Sequence, residues 1–125
     1  MSPLAWAGFV AAAAIGAPLR HVVDVSISER VQGRFPWGTF VVNATGSLFL
    51  GVLTGLALYH AFPSTPRIIL GTGFCGAYTT FSTWTFETIR LLEEGDTTEA
   101  LLNAGGSLVL GLLAAASGMA LAAAI

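Results

Sequence analysis

Four long segments of this chain contain no charged residue, and this pattern limits the possible folds more than any other feature. The segments are residues 1–19, 35–66, 68–86 and 100–125. A helix rises about 1.5 Å per residue, so roughly 20 residues cross the hydrocarbon core of a bilayer, which is about 30 Å thick. Each segment is therefore long enough for one membrane-spanning helix.

The composition excludes several other classes of protein. The 125 residues include only five arginines, seven acidic residues and no lysine, whereas about a quarter of the residues in a soluble domain are charged. A net charge of −2 provides no basic patch for nucleic acid or anionic lipid. The single cysteine, Cys75, allows neither a disulfide framework nor a zinc site. We therefore predict an all-α membrane protein.

Charges and turn-forming residues set the limits of four predicted transmembrane helices. The predicted spans are at about residues 4–23, 38–61, 67–92 and 98–123, within one domain of residues 1–125. We expect the first to be a membrane span and not a signal peptide, because no positive residue precedes its apolar run. Four spans place both ends of the chain on the same side of the membrane.

Small residues suggest close helix packing. Gly51 and Gly55 are four positions apart in the second span, and small residues at this spacing let membrane helices approach closely. The pattern fits packing within one chain as well as a dimer face. Four short spans contain too little material to enclose a large aqueous pathway, so we expect at least a dimer.

One face of the second span is polar. Its residues are spaced by 4, 4 and 7 positions and comprise Thr39, Asn43, Ser47 and Thr54. Serine and threonine can bond to their own helix, but the Asn43 amide has more hydrogen-bonding groups than its helix can satisfy. We expect Asn43 to meet either a partner helix or a hydrated pathway, since a bare amide in lipid is costly. Asn103, Ser107 and Gly111 form a similar stripe in the fourth span.

The third span is poorly suited to a continuous helix. Three glycines are followed by five threonine or serine residues within seven positions, so we predict a mid-membrane break near Gly76–Thr80 with Thr79, Thr80 or Ser82 capping the second half. A break frees backbone carbonyls, which are suitable ligands for a hard cation such as sodium. Beyond it, Glu87 is the only acidic residue near the interior of a span, and it is either functional or a boundary residue.

The polar groups of the spans favour ion transport over catalysis. We find no carboxylate pair, no Ser/His/Asp set and no phosphate-binding loop, and His21 and His60 have no cysteine or carboxylate partners at ligand spacing. Amide and hydroxyl donors together with the positive edges of aromatic rings suit a small anion. We therefore predict a channel or transporter for a small anion, and not an enzyme.

Two other functions stay open from the residues alone. A proton-coupled multidrug exporter also has four short spans, but it requires a membrane-embedded carboxylate, and residues 4–19 contain none. A structural membrane assembly protein held by glycine-rich packing would carry no transport activity.

Residues 76–83, Gly-Ala-Tyr-Thr-Thr-Phe-Ser-Thr, together with Glu87, resemble the Gly-x-x-Thr-Thr-Phe-Ser-Thr signature of the small fluoride channels, the Fluc/CrcB family. Pro36-Trp37-Gly38-Thr39, followed by Asn43, Gly46, Ser47 and Gly51, is similar to their second helix. Gly16 through Arg20 is similar to the end of their first helix, and Ser107 with Gly111 to their fourth. The resemblance covers the whole chain in order.

The resemblance implies a dimer of two oppositely inserted subunits in the cell membrane of a prokaryote, which exports fluoride passively and lowers its toxicity. Asn43 would donate a hydrogen bond to the ion, and Phe81 would present its ring edge. The full set of predicted pathway residues is Thr39, Asn43, Phe81, Ser82, Thr83, Trp84, Glu87 and Ser107. The resemblance further implies a structural sodium ion at the dimer centre, held by the backbone carbonyls of Gly76 and Thr79.

Two residues depart from the family pattern. Trp84 stands where a second phenylalanine is usual, and Asn103 where a tyrosine is common. The arginines also favour one orientation, because Arg30, Arg34 and Arg90 share one side of the membrane and Arg67 lies opposite. An antiparallel homodimer needs little such bias, so a heterodimer with an oppositely oriented paralogue is the alternative.

Overall fold

The computed structural model describes all 125 residues as four helical regions joined by short connections, with no strand. We label the helices α1 (Pro3–Arg30), α2 (Trp37–His60), α3 (residues 64–78), α4 (Ser82–Glu93) and α5 (Thr97–Ala124). The third region consists of α3 and α4. Two segments are wound as π-helix, namely Ile69–Cys75 within α3 and Leu102–Gly106 within α5. The predicted all-α class is confirmed.

Three of these helices can cross a bilayer. By length and apolar composition, α1, α2 and α5 each qualify as a membrane span. The helices α3 and α4 are shorter, because the chain between them is not helical. The helix α1 also continues past the predicted end of its span at residue 23 and reaches Arg30, since the sequence from 19 to 30 contains neither glycine nor proline.

The tightest packing joins α2 and α5. Gly51 lies against the backbone carbonyl of Ala115, and Gly118 against that of Leu48, so closely that a Cβ atom at either glycine would overlap the opposing backbone. Gly55 lies against Met119 and Ala122 in the same way. The face formed by Gly51 and Gly55 is therefore occupied within one chain, which resolves the alternative left open by the sequence.

Polar contacts close both ends of the bundle. At the end of α2, the His60 Nε2–H donates to the carbonyl of Ala122, 2.7 Å away. At the opposite end, Arg34 in the α1–α2 connection forms an ion pair with Asp96 in the α4–α5 turn. The hydrogen bond to Asp96 raises the pKa of the Arg34 guanidinium above its ordinary value. The pair joins the two connections, which lie at the same end of the bundle.

We predict that Gly118→Ala lowers the free energy of unfolding by about 1–3 kcal/mol, because the added methyl overpacks the contact between α2 and α5. The matched control is Gly105→Ala in the same helix, where a Cβ would meet nothing within 4 Å. Thermal unfolding followed by circular dichroism in detergent measures both. Equal unfolding midpoints for the two variants would contradict the packing account.

Candidate functional site

The candidate site is built around a short non-helical stretch, residues 79–81, between α3 and α4. The chain remains helical through Gly76–Tyr78 and turns extended at Thr79, with φ −80° and ψ 163°, so the interruption begins later than Gly76. The Thr79 hydroxyl donates to the carbonyl of Cys75 at 2.8 Å. Thr80 provides the side-chain cap, since its hydroxyl oxygen accepts the backbone N–H of Thr83 at 3.1 Å.

The Asn43 side chain pairs with the backbone of this stretch. Its Nδ2 donates to the Thr80 carbonyl at 2.8 Å, and its Oδ1 accepts the Thr80 N–H at 2.9 Å. One amide thus replaces two hydrogen bonds that the interrupted helix lacks, and it uses one of its two N–H donors to do so. Gly46, one turn along α2, leaves room for the methyl group of Thr79.

The Asn43 pairing and the Thr80 cap each free one backbone carbonyl. In a continuous helix the Thr80 N–H would donate to the Gly76 carbonyl and the Thr83 N–H to the Thr79 carbonyl. Here the first donates to Asn43 and the second to the Thr80 hydroxyl. The space beside Gly76 is open, since a Cβ there would meet nothing within 4 Å. Two uncharged, hard oxygen ligands are therefore available, and their chemistry fits a sodium ion.

A groove of about 910 Å³ runs along the outer face of the bundle at this stretch. It brings together six of the ten predicted site residues, four from the pathway set and both metal ligands: Asn43, Phe81, Trp84, Ser107, Gly76 and Thr79. Arg67 lines it as well. The groove is open to the outside, so a single chain does not enclose it.

A second, smaller cavity of about 180 Å³ lies on the other side of Thr80, which lines both. Thr39 and Thr83 of the predicted set line this cavity, together with Arg20, His21 and Asp24 from α1. Those three α1 residues are not among the site residues predicted from the sequence. The signal that could have found them is the uninterrupted helical sequence after residue 19, which carries Arg20 and Asp24 on one face at a spacing of four.

Glu87 and Ser82 line neither cavity. The Oε1 atom of Glu87 is buried and has no hydrogen-bond partner, while Thr39 lies beside this carboxyl group. Ser82 is exposed at the start of α4, and its hydroxyl lies 3.5 Å from that of Thr80.

The two aromatic residues of the site differ in their surroundings. The Phe81 side chain is exposed, with 75% of the residue accessible, and its ring centroid lies 5.3 Å from that of Trp84 at an angle of 58°. The Trp84 indole N–H donates to the backbone carbonyl of Asn103 at 2.9 Å. Trp84 therefore offers ring carbons, and not its N–H, to the groove.

Residues 7–119 match the family described as "CrcB-like protein, Camphor Resistance (CrcB)". The chain is 46% identical to the fluoride-specific ion channel FluC 1 of Streptomyces avermitilis over 114 residues, or 91% of this chain and 92% of the relative. It is 49% identical to FluC 2 of Mycobacterium tuberculosis over 113 residues, or 90% and 86% of the two chains. For FluC 1 of Frankia casuarinae the identity is 44% over 125 residues, covering 96% and 97%.

The three apolar helices and these bacterial relatives identify a multi-pass membrane protein. The family resemblance seen in the sequence motifs is confirmed by a match that extends over most of the chain. The chain belongs to the CrcB-like protein family.

Proposed function

We propose that this protein is a fluoride-selective ion channel, and not an enzyme, that exports fluoride passively across the cell membrane and so lowers its cytoplasmic concentration and toxicity. The structural observation that carries the proposal is the position of Asn43. After pairing with Thr80, its amide retains one N–H donor at the wall of the groove that also contains Phe81. The relatives named as fluoride-specific channels support the choice of ion.

The two cavities suggest a route for the ion. Fluoride is small and strongly hydrated, so a selective pore must replace its water with closely placed donors. Thr39 and Thr83 would supply hydroxyls on one side of Thr80, and Asn43 and the Phe81 ring edge would receive the ion on the other. Trp84 and Ser107 line the groove and complete this route, whereas Ser82 and Glu87 of the predicted pathway line neither cavity.

The open groove favours a second subunit. One chain leaves Phe81 exposed and contributes only two freed carbonyls, which is too few to complete the coordination of a cation. We propose an antiparallel homodimer in which the grooves of two copies face each other and the break lies near mid-membrane. A structural sodium ion at the dimer centre would then be held by Gly76 and Thr79 carbonyls of both copies.

We predict that vesicles containing the purified protein release fluoride at least tenfold faster than chloride, without requiring a proton gradient, because the ion is recognised by donors and size alone. An ion-selective electrode measures each efflux, with and without a proton ionophore. Equal chloride efflux would overturn the choice of ion. Fluoride efflux that depends on a proton gradient would favour a proton-coupled exporter over a channel. Absence of flux from this chain alone would contradict the homodimer and leave the heterodimer with an oppositely oriented paralogue as the alternative.

We predict that Asn43→Ala and Phe81→Leu each reduce fluoride efflux by about tenfold or more, since each removes a group proposed to contact the ion. Phe81 is exposed in the subunit, so its replacement tests the pathway without disturbing the interior. The control is Phe86→Leu on α4, which changes an equally exposed phenylalanine that lines neither cavity. A structural assembly protein would show no fluoride efflux for these variants to reduce.

We predict that Gly76→Ala weakens the dimer although it is harmless within one chain, because the added methyl points into space that is open only in the single subunit. Its dimer fraction, measured by single-molecule subunit counting in lipid, should fall relative to Gly105→Ala.

Replacing sodium by N-methylglucamine should reduce fluoride efflux of the wild type. Unchanged dimerisation would contradict this interface, and unchanged efflux in sodium-free buffer would contradict the ion.

A further inference from the structure

Asn103 is a completely buried polar residue in the hairpin formed by α4 and α5, with 0% of its surface accessible. Asn103 lies in the π-helical segment Leu102–Gly106. Its Nδ2 donates to the Thr88 hydroxyl at 2.8 Å and approaches the Trp84 carbonyl at 3.4 Å. Its Oδ1 accepts the Ser107 hydroxyl at 3.3 Å. The amide thus has a partner for each of its donors and for its oxygen.

Asn103 holds Trp84 at two points. The side-chain amide reaches the Trp84 backbone carbonyl, and the Asn103 backbone carbonyl accepts the Trp84 indole N–H at 2.9 Å. Thr88 strengthens the same cluster, because its hydroxyl donates to the Trp84 carbonyl at 2.8 Å. Such a closed set of buried hydrogen bonds fixes the ring of Trp84 in one orientation.

The Trp84 ring forms part of the wall of the groove that we propose as the ion route. Trp84 and Phe81 line the groove together, with ring centroids 5.3 Å apart. Because its N–H is already used, Trp84 cannot donate to an anion without breaking the bond to Asn103. Its contribution beside Phe81 is therefore steric, through the bulk of an immobile indole.

We infer that Asn103 is a positioning residue, which holds Trp84 as a rigid wall beside Phe81 and thereby sets the rejection of anions larger than fluoride. The inference rests on the proposed function. If the Trp84 ring could move, the groove could widen and admit chloride. A ring held by hydrogen bonds from a neighbouring helix keeps its distance from Phe81. Asn103 also orients the Ser107 hydroxyl, whose proton points towards the amide oxygen.

The test compares Trp84→Leu, Asn103→Leu and the double variant in the vesicle efflux assay. Each single variant should lower the ratio of fluoride to chloride efflux by about tenfold, the scale of one or two lost hydrogen bonds. The double variant should lower it no further than the more affected single variant, because the two residues act as one unit. Thr88→Val, which removes one acceptor of Asn103, should have a smaller effect in the same direction. Phe86→Leu, at an exposed position of α4 that lines neither cavity, should leave the ratio unchanged.

A second readout follows the ring itself. In a Trp6→Phe/Trp37→Phe background, Trp84 is the only indole, and Asn103→Leu should shift its emission maximum and increase its quenching by acrylamide. This measurement works whether or not the vesicles transport fluoride, so it separates a failure of the proposed function from a failure of the positioning role.

The outcomes are distinct. A lowered ratio together with altered Trp84 emission supports the inference. An unchanged ratio, or a lowered ratio with unchanged emission, overturns it, because selectivity would not act through the position of Trp84. A proportional loss of both fluoride and chloride efflux also overturns it, since that is the effect of a general loss of folded protein.

Discussion

The pairing of the Asn43 amide with the Thr80 backbone is the contact on which the other features of the site depend. Without it, the N–H and the carbonyl of Thr80 would have no protein partner at a half-buried position. A polar group left unpaired costs free energy to the extent that it is removed from water. Satisfying them from a neighbouring helix allows the chain to stay non-helical over residues 79–81. The same pairing diverts the Thr80 N–H from Gly76 and so exposes a backbone carbonyl.

Close packing elsewhere makes this arrangement rigid. The glycine contacts between α2 and α5 fix the helix that carries Asn43, and Gly46 admits Thr79 next to it. On the opposite flank, Asn103 ties α4 to α5 through Trp84 and Thr88. The non-helical stretch is thus positioned from both sides by hydrogen bonds and backbone contacts, while the outer face with Phe81 stays uncovered.

The sequence was sufficient to predict the all-helical class and the family. Both predictions depend only on the order of residues along the chain, namely on uncharged segments of bilayer length and on the motif at residues 76–83. It indicated that Asn43 needs a partner, but it could not identify Thr80, which is 37 positions away. Gly51 and Gly55 left two packing modes open, since spacing alone does not say which helix fills a groove. The positions of Arg20 and Asp24 at the smaller cavity could not be predicted, because charges near the end of a predicted span indicate its boundary.

The most direct test of the central claim is to observe the two Nδ2 protons of Asn43 by ¹H–¹⁵N NMR of the selectively labelled protein in lipid nanodiscs. Addition of fluoride should shift the proton that is free of Thr80, whereas the proton bonded to the Thr80 carbonyl should move little, and chloride should shift neither. Equal shifts of both protons with either halide, or no shift with fluoride, would contradict a role for Asn43 in both closing the break and receiving the ion.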